Sequence, residues 1–308
     1  MAAVLACGPR SLGPERIFPG DGTVIFSLGD AFYHARRAFV SFEQFPRVLL
    51  FDPYLNFPQG AFVPWPPLYD LALGGMARLF GSTQSAFERV AAWAPVALGV
   101  LTLAPVYAAG RLVASRAAGV GAALLFAVLP ATVLYSNVGN ADHHAAQAFL
   151  GASVLALSLR AVSEEPRPRA SVGWTFAVLA VFRAALLLTW PGSLVYLALT
   201  EGCLVAAGVL AGRREILVGE AWSAAASAVL VLPAVVSFVL LVGVLGYVVW
   251  AGAPALAGGA YGSVYELRQF AASFLKEYWL HFELTSVLLV VAVVAAVAVI
   301  QVHRGRRD

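Results

Sequence analysis

The chain alternates between long apolar runs and short polar linkers. After residue 87, seven apolar segments follow one another, at about 88–112, 117–136, 144–162, 171–189, 191–212, 217–250 and 283–302. Runs of about 20 apolar residues are long enough to cross a lipid bilayer as helices. The pattern therefore predicts an all-α polytopic membrane protein of about seven transmembrane helices. Residues 217–250 would extend about 51 Å as one helix, at about 1.5 Å per residue. One long span bent at Pro233 keeps the later loops on consistent sides.

Residues 1–87 read differently, as a long external loop region. Residues 8–87 carry glycine, proline, aspartate and arginine with scattered aromatics. Ala2 to Cys7 is apolar but too short for a span or a signal core. Phe51 to Gly60 holds two X-Pro steps and reads as a loop. Pro66-Pro67 offers a helix start, so Leu68 to Phe80 is expected as a short surface helix. Residues 88–308 form the bundle, with an external loop at 251–282.

Composition strengthens this reading. Of 308 residues, 60% are hydrophobic and only 12% charged. Soluble domains have roughly 45–50% apolar and about 25% charged residues. A soluble enzyme, a disordered chain and a collagen are excluded. The net charge is +3, but the basic residues form no stripe that would engage nucleic acid. They sit in linkers: Arg111 to Arg116, Arg160 to Arg169, Arg213–Arg214 and His303 to Arg307. The positive-inside rule makes these linkers cytoplasmic. The arginine-free linkers near 140 and 190, the 251–282 loop and residues 8–87 then face the other side. Cys7 and Cys203 lack metal-ligand spacing and read as packing residues.

Acidic residues on that outer side are few, which singles out Asp30, Asp142 and Glu266. Asp142 lies two residues before His144 and can cap the helix that follows. Carboxylates suit Mg²⁺ or Mn²⁺, and an added imidazole favours Mn²⁺ or Zn²⁺. The competing reading is helix capping and loop solvation. Arg183 lies inside an apolar run. Such a residue is costly unless it is functional or paired, here with a membrane acid such as Glu201.

Five sequence features, in order, carry a family resemblance. They are Gly29-Asp30-Ala-Phe-Tyr-His34 before an arginine pair, and Phe51 to Gly60 with Trp65-Pro66-Pro67. Asp142-His143-His144, Thr189-Trp190-Pro191-Gly192 and Ser263-Val264-Tyr265-Glu266 follow. In this order the chain resembles the catalytic subunit of oligosaccharyltransferase, in its bacterial branch, with the GT-C glycosyltransferase bundle. The resemblance implies transfer of an oligosaccharide from a polyprenyl-pyrophosphate donor to asparagine of an acceptor protein. It implies that Asp30 and Glu266 hold the acceptor amide. Asp30, Asp142, His144 and Glu266 would bind a divalent cation, Mg²⁺ or Mn²⁺. Arg183, Arg36, Arg37 and Arg268 become candidates for the donor pyrophosphate, and His34 and His143 for supports behind the metal ligands. The expected setting is a bacterial inner membrane, with the site on the extracytoplasmic face and the lipid bilayer as a partner.

Two family features are missing from the sequence: a span before the first loop, and the C-terminal acceptor-reading domain with its Trp-Trp-Asp-Tyr-Gly motif. The sequence therefore leaves three expectations open. The chain is the transmembrane part of an oligosaccharyltransferase completed by a separate C-terminal domain, a lipid-donor glycosyltransferase with another acceptor, or a non-catalytic protein that inherited the bundle. In the first case this chain alone is inactive on a sequon.

Overall fold

In the computed structural model, the described residues are 2–27, 29–163 and 169–232. Glu266, Arg268, the 251–282 loop, the last expected span and the bend expected at Pro233 lie outside them.

The apolar runs fold into helices. Among the described residues, four are long and apolar enough to cross a membrane: Gln84–Val113, His144–Val162 (α9), Ser193–Leu210 (α11) and Arg214–Leu232 (α12). The first divides at Thr102 into α5 (Gln84–Leu101) and α6 (Leu103–Val113). The Thr102 hydroxyl donates to the Leu98 carbonyl at 2.7 Å, a back-bond that tends to bend helices. Two shorter apolar helices lie between, α7 (Arg116–Val128) and α10 (Arg169–Leu187).

The expected segment 117–136 is not one helix. α7 stops at Leu129, which adopts φ −62°, ψ 123° ahead of Pro130, and the five-residue α8 (Pro130–Leu134) follows. Proline disfavours helical backbone in the residue before it. Each of the six expected segments that reach into the described residues thus contains helix, and four reach spanning length there.

Residues 1–87 hold more structure than one short helix. α1 (Ala2–Arg10) packs on α5, α7 and α8. Arg10 is fully buried. Its Nη1 donates to Ala127 O at 2.7 Å and its Nη2 to Phe126 O at 3.3 Å, satisfying carbonyls at the end of α7. The one-turn α2 (Pro14–Ile17) comes next.

α3 (Gly29–Glu43) buries Ala31, His34, Ala35, Ala38 and Phe42 on one stripe, the three-to-four spacing of an amphipathic helix. A short hairpin pairs β1 (Phe51–Asp52) with β2 (Ala61–Phe62) antiparallel. α4 (Leu68–Ala77) follows Pro66-Pro67, close to the expected bounds, and packs along α3. The crossing is tight. A Cβ on Gly74 would stand 2.5 Å from the Ala38 carbonyl oxygen and 2.8 Å from the Phe42 nitrogen, so only glycine fits there.

Three apolar clusters hold these elements. One joins α2, α3, α4 and α5 to the 138–141 linker through Ile17, Phe42, Leu73, Phe87 and Val138. A second unites α9 to α12 around Phe176, Leu179 and Ile216. The third joins α1, α6 and α7.

Candidate metal and catalytic centre

The centre forms where the linker 137–143 meets α3 and α4. Backbone bonds pin the linker: Gly139 N donates to Ala92 O at 2.9 Å, Ser27 N to Gly139 O at 3.0 Å, and Val138 N to Arg10 O at 2.8 Å. Gly139 has φ 83°, a conformation glycine adopts without steric cost. This bend delivers Asp142, His143 and His144 to the start of α9.

Asp142 is only 4% exposed, and its two oxygens face different surroundings. Oδ1 accepts from the His143 backbone N–H at 2.6 Å and lies 2.6 Å from His143 Nδ1 and 3.5 Å from His34 Nε2. Oδ2 lies 3.7 Å from His144 Nε2. Asp142 is not the side-chain cap expected for α9, because its carboxylate turns onto the residue next to it. Ligating atoms of His34, Asp142 and His143 all lie within 4.8 Å of one another. His34 and His143, expected behind the ligands, therefore stand directly against the carboxylate.

Behind His34 runs a buried chain that none of the sequence motifs marks as a unit. His34 Nδ1 is 2.8 Å from Asp70 Oδ1, and Arg37 Nη1 is 2.8 Å from Asp70 Oδ2. Arg37 also donates to the Trp65 carbonyl at 3.2 Å. Asp70, Arg37 and His34 are 2%, 1% and 3% exposed, and buried charges are tolerated when paired like this. The rings of Trp65 and Tyr69 pack edge-on to His34 at 6.1 and 5.7 Å. Asp70 left one trace in the sequence. It sits in the first turn of the helix started by Pro66-Pro67, where acids suit the helix dipole.

These surroundings shift the nearby acids. Burial alone would raise the Asp142 carboxyl. The His143 hydrogen bond and attraction to the His144, His143 and His34 imidazoles outweigh it and hold the group well below the usual carboxylate range. Burial, with the negative charges of Asp142 and Asp70, pushes the Tyr69 phenol far above its ordinary value.

Other expected residues lie near or elsewhere. Asp30 is exposed in the first turn of α3, four residues before His34, which puts the two on one helix face. Arg36 pairs with Asp52 and stacks over Tyr54, 4.8 Å from ring centre. It also lines an open groove of about 390 Å³ with Gly29, Phe32, Tyr33, Tyr54 and Leu55. Arg37 is committed to Asp70. Arg183, 1% exposed, makes a forked pair with Glu220 at 2.9 and 3.1 Å, while Glu201 stands at 3.7 Å. Its main partner is thus Glu220, not the expected Glu201. Glu220 lies one helix further on, where spacing along α10 gives no hint of it.

The donor set fits a divalent cation. Asp142 with the His34 and His143 imidazoles offers carboxylate and nitrogen ligands within 4.8 Å of one another, and His144 Nε2 stands 3.7 Å from Asp142 Oδ2. His143 Nε2 is buried with no hydrogen-bond partner among the described residues. A neutral ring bonded through Nδ1 keeps a lone pair at that nitrogen.

Helices of membrane-spanning length and a buried carboxylate–imidazole cluster define a helical membrane protein with a candidate metal site. Residues 21–304 match the family model "Oligosaccharyl transferase STT3, N-terminal". The chain belongs to the STT3 oligosaccharyltransferase family. It is 32% identical over 158 residues to the dolichyl-monophosphooligosaccharide–protein glycotransferase AglB of Haloferax volcanii, covering 49% of this chain and 15% of that one. It is 34% identical over 131 residues to dolichyl-phosphooligosaccharide–protein glycotransferase 1 of Archaeoglobus fulgidus, covering 42% and 22%.

Among solved structures it resembles the A. fulgidus AglB in complex with an inhibitory peptide and a dolichol-phosphate. The TM-score is 0.68 and the identity 25%, over 75% of this chain and 28% of that one. The A. fulgidus oligosaccharyltransferase in complex with Zn and sulfate gives a TM-score of 0.67 and 26% identity, over 75% and 30%. These relatives are archaeal, whereas the sequence reading pointed to the bacterial branch. The chain spans less than a third of the length of each.

Proposed function

We propose that this chain carries the transmembrane catalytic part of an enzyme that moves an oligosaccharide from a polyprenyl-pyrophosphate donor to an acceptor asparagine. The observation that carries this reading is the buried centre on Asp142, formed by one of the motifs that carry the family resemblance. In this reading Asp142 and His144 hold a divalent cation with Asp30 and Glu266. The relative with Zn and sulfate bound supports such an ion, and those with dolichol-phosphate or an NVT acceptor peptide support the two substrates.

The residues suit the chemistry. An amide nitrogen is a poor nucleophile because its lone pair is delocalised into the carbonyl. Asp30 and Glu266 accept its two N–H bonds, twist the amide and release that lone pair. When bound, the cation orders these carboxylates and offsets their repulsion. The leaving pyrophosphate needs positive charge. Arg36, paired with Asp52 but with its side chain 38% exposed beside the open groove at α3, supplies it in this reading, with Arg268. Arg183 and Arg37 are held by Glu220 and Asp70 and serve the fold. The site faces the extracytoplasmic side, and a C-terminal domain reads the Ser or Thr of the acceptor.

The test is an assay with a lipid-linked donor, Mn²⁺ and an Asn-x-Thr peptide, with and without a supplied C-terminal acceptor-reading domain. Turnover is expected in the complemented reaction, with Mn²⁺ binding by the chain alone. Absence of both turnover and metal binding in every arm would overturn the proposal.

A further inference from the structure

Asp70 takes no part in the chemistry above, yet it ends the buried chain that reaches Asp142. We infer that Asp70, held by Arg37, is a positioning residue that sets the tautomer of His34 and through it the orientation of Asp142. The inference rests on the reading of Asp142 as a metal ligand.

The argument follows protons along the chain. The Asp70 carboxylate, paired with the Arg37 guanidinium at Oδ2, can only accept at Oδ1. His34 Nδ1, 2.8 Å away, must therefore carry a proton and donate it. In the neutral ring that leaves Nε2 as an acceptor. His143 Nδ1 stands 3.0 Å from His34 Nε2, so His143 donates there. The same His143 nitrogen lies 2.6 Å from Asp142 Oδ1. His143 thus braces Oδ1 while Oδ2 stays turned towards His144, and its own Nε2 keeps a lone pair. With the other tautomer, His34 Nε2–H and His143 Nδ1–H would face each other at 3.0 Å. His143 would have to turn away, and Asp142 would lose that contact. Groups behind metal ligands commonly act in this way, fixing ring orientation and ligand basicity.

Asp70→Asn is the direct test. It keeps the shape but presents an amide that can donate to His34 Nδ1 and reverse the tautomer. The purified full chain, ¹⁵N-labelled at histidine, is compared with the variant, the His34 signal being assigned by His34→Gln. Expected are a shift of the His34 proton from Nδ1 to Nε2 and binding of Zn²⁺ and Mn²⁺ weakened about 10- to 100-fold, with helix content unchanged by circular dichroism. An unchanged His34 tautomer in folded Asp70→Asn overturns the inference, as does undiminished metal binding. Absence of metal binding in the parent chain would sink the metal-centre reading, while the tautomer measurement still decides the role of Asp70. If the single variant fails to fold, Arg37→Met/Asp70→Asn removes both buried charges, and the same two outcomes apply.

Discussion

Arg183 and Glu220 show how a single pair of residues settles a question that the sequence raises. An arginine within an apolar run reads equally well as a ligand for phosphate or as a structural pair. The forked contact at 2.9 and 3.1 Å, with Ser223 Oγ accepting at 3.3 Å, ties α10 to α12. Removing one partner leaves the other buried and unpaired, a cost of about 3–5 kcal/mol, whereas replacing both with apolar groups is often close to neutral. Arg183→Met should therefore lower thermal stability in detergent sharply. Arg183→Met/Glu220→Met should recover most of the loss. A double variant as unstable as the summed singles would show that the two residues act separately.

At the scale of elements, the α3–α4 crossing sets the distance between His34 and Asp70. Alanine has the better intrinsic helix propensity, by about 0.8–1.0 kcal/mol. At Gly74 the added Cβ meets backbone of α3, which cannot move aside cheaply, and overpacking costs about 1–3 kcal/mol. Gly74→Ala should thus destabilise the chain and weaken metal binding together. The variant would count against the coupling if it lost stability while metal affinity stayed unchanged.

The loop 50–63 is closed by Asp52, fully buried, against Arg36. Burial tends to raise the Asp52 carboxyl, but the Arg36 bond and charge and the Tyr54 N–H lower it overall. A carboxyl depressed in the folded state contributes stability above its unfolded value, about 3.9. That contribution fades as pH falls through the lower folded value. The loop should resist a protease at pH 5 and open only below the usual carboxylate value. In Arg36→Met, cleavage across 50–63 should already be faster at pH 7, and equal rates would argue that the pair does not close the loop.

Among the described residues, two contacts join linkers of like kind. Arg213 Nη1 donates to Val162 O at 2.9 Å, joining two arginine-bearing linkers. Leu68 N donates to Leu188 O at 3.1 Å, joining α4, which carries Asp70, to the arginine-free turn after α10. The centre on Asp142 therefore shares an end with that turn. Reporter fusions after Arg214 should mark the cytoplasm and fusions after Thr189 the opposite side. The same side for both would break the alternation read from the arginines.

The helical, membrane-spanning character was legible in the sequence, because apolar length and arginine placement are properties of a run and need no partner. The acid–histidine cluster at Asp142-His143-His144 was legible too, since its residue types sit close together in the chain. Which histidines stand against Asp142 depended on the bend at Gly139 and on α3 crossing α4 at Gly74. Asp70 lies 36 residues from His34 and Glu220 lies 37 from Arg183. No local periodicity relates residues that far apart, and only packing of separate helices brings each pair into the low-dielectric interior where the pairing matters.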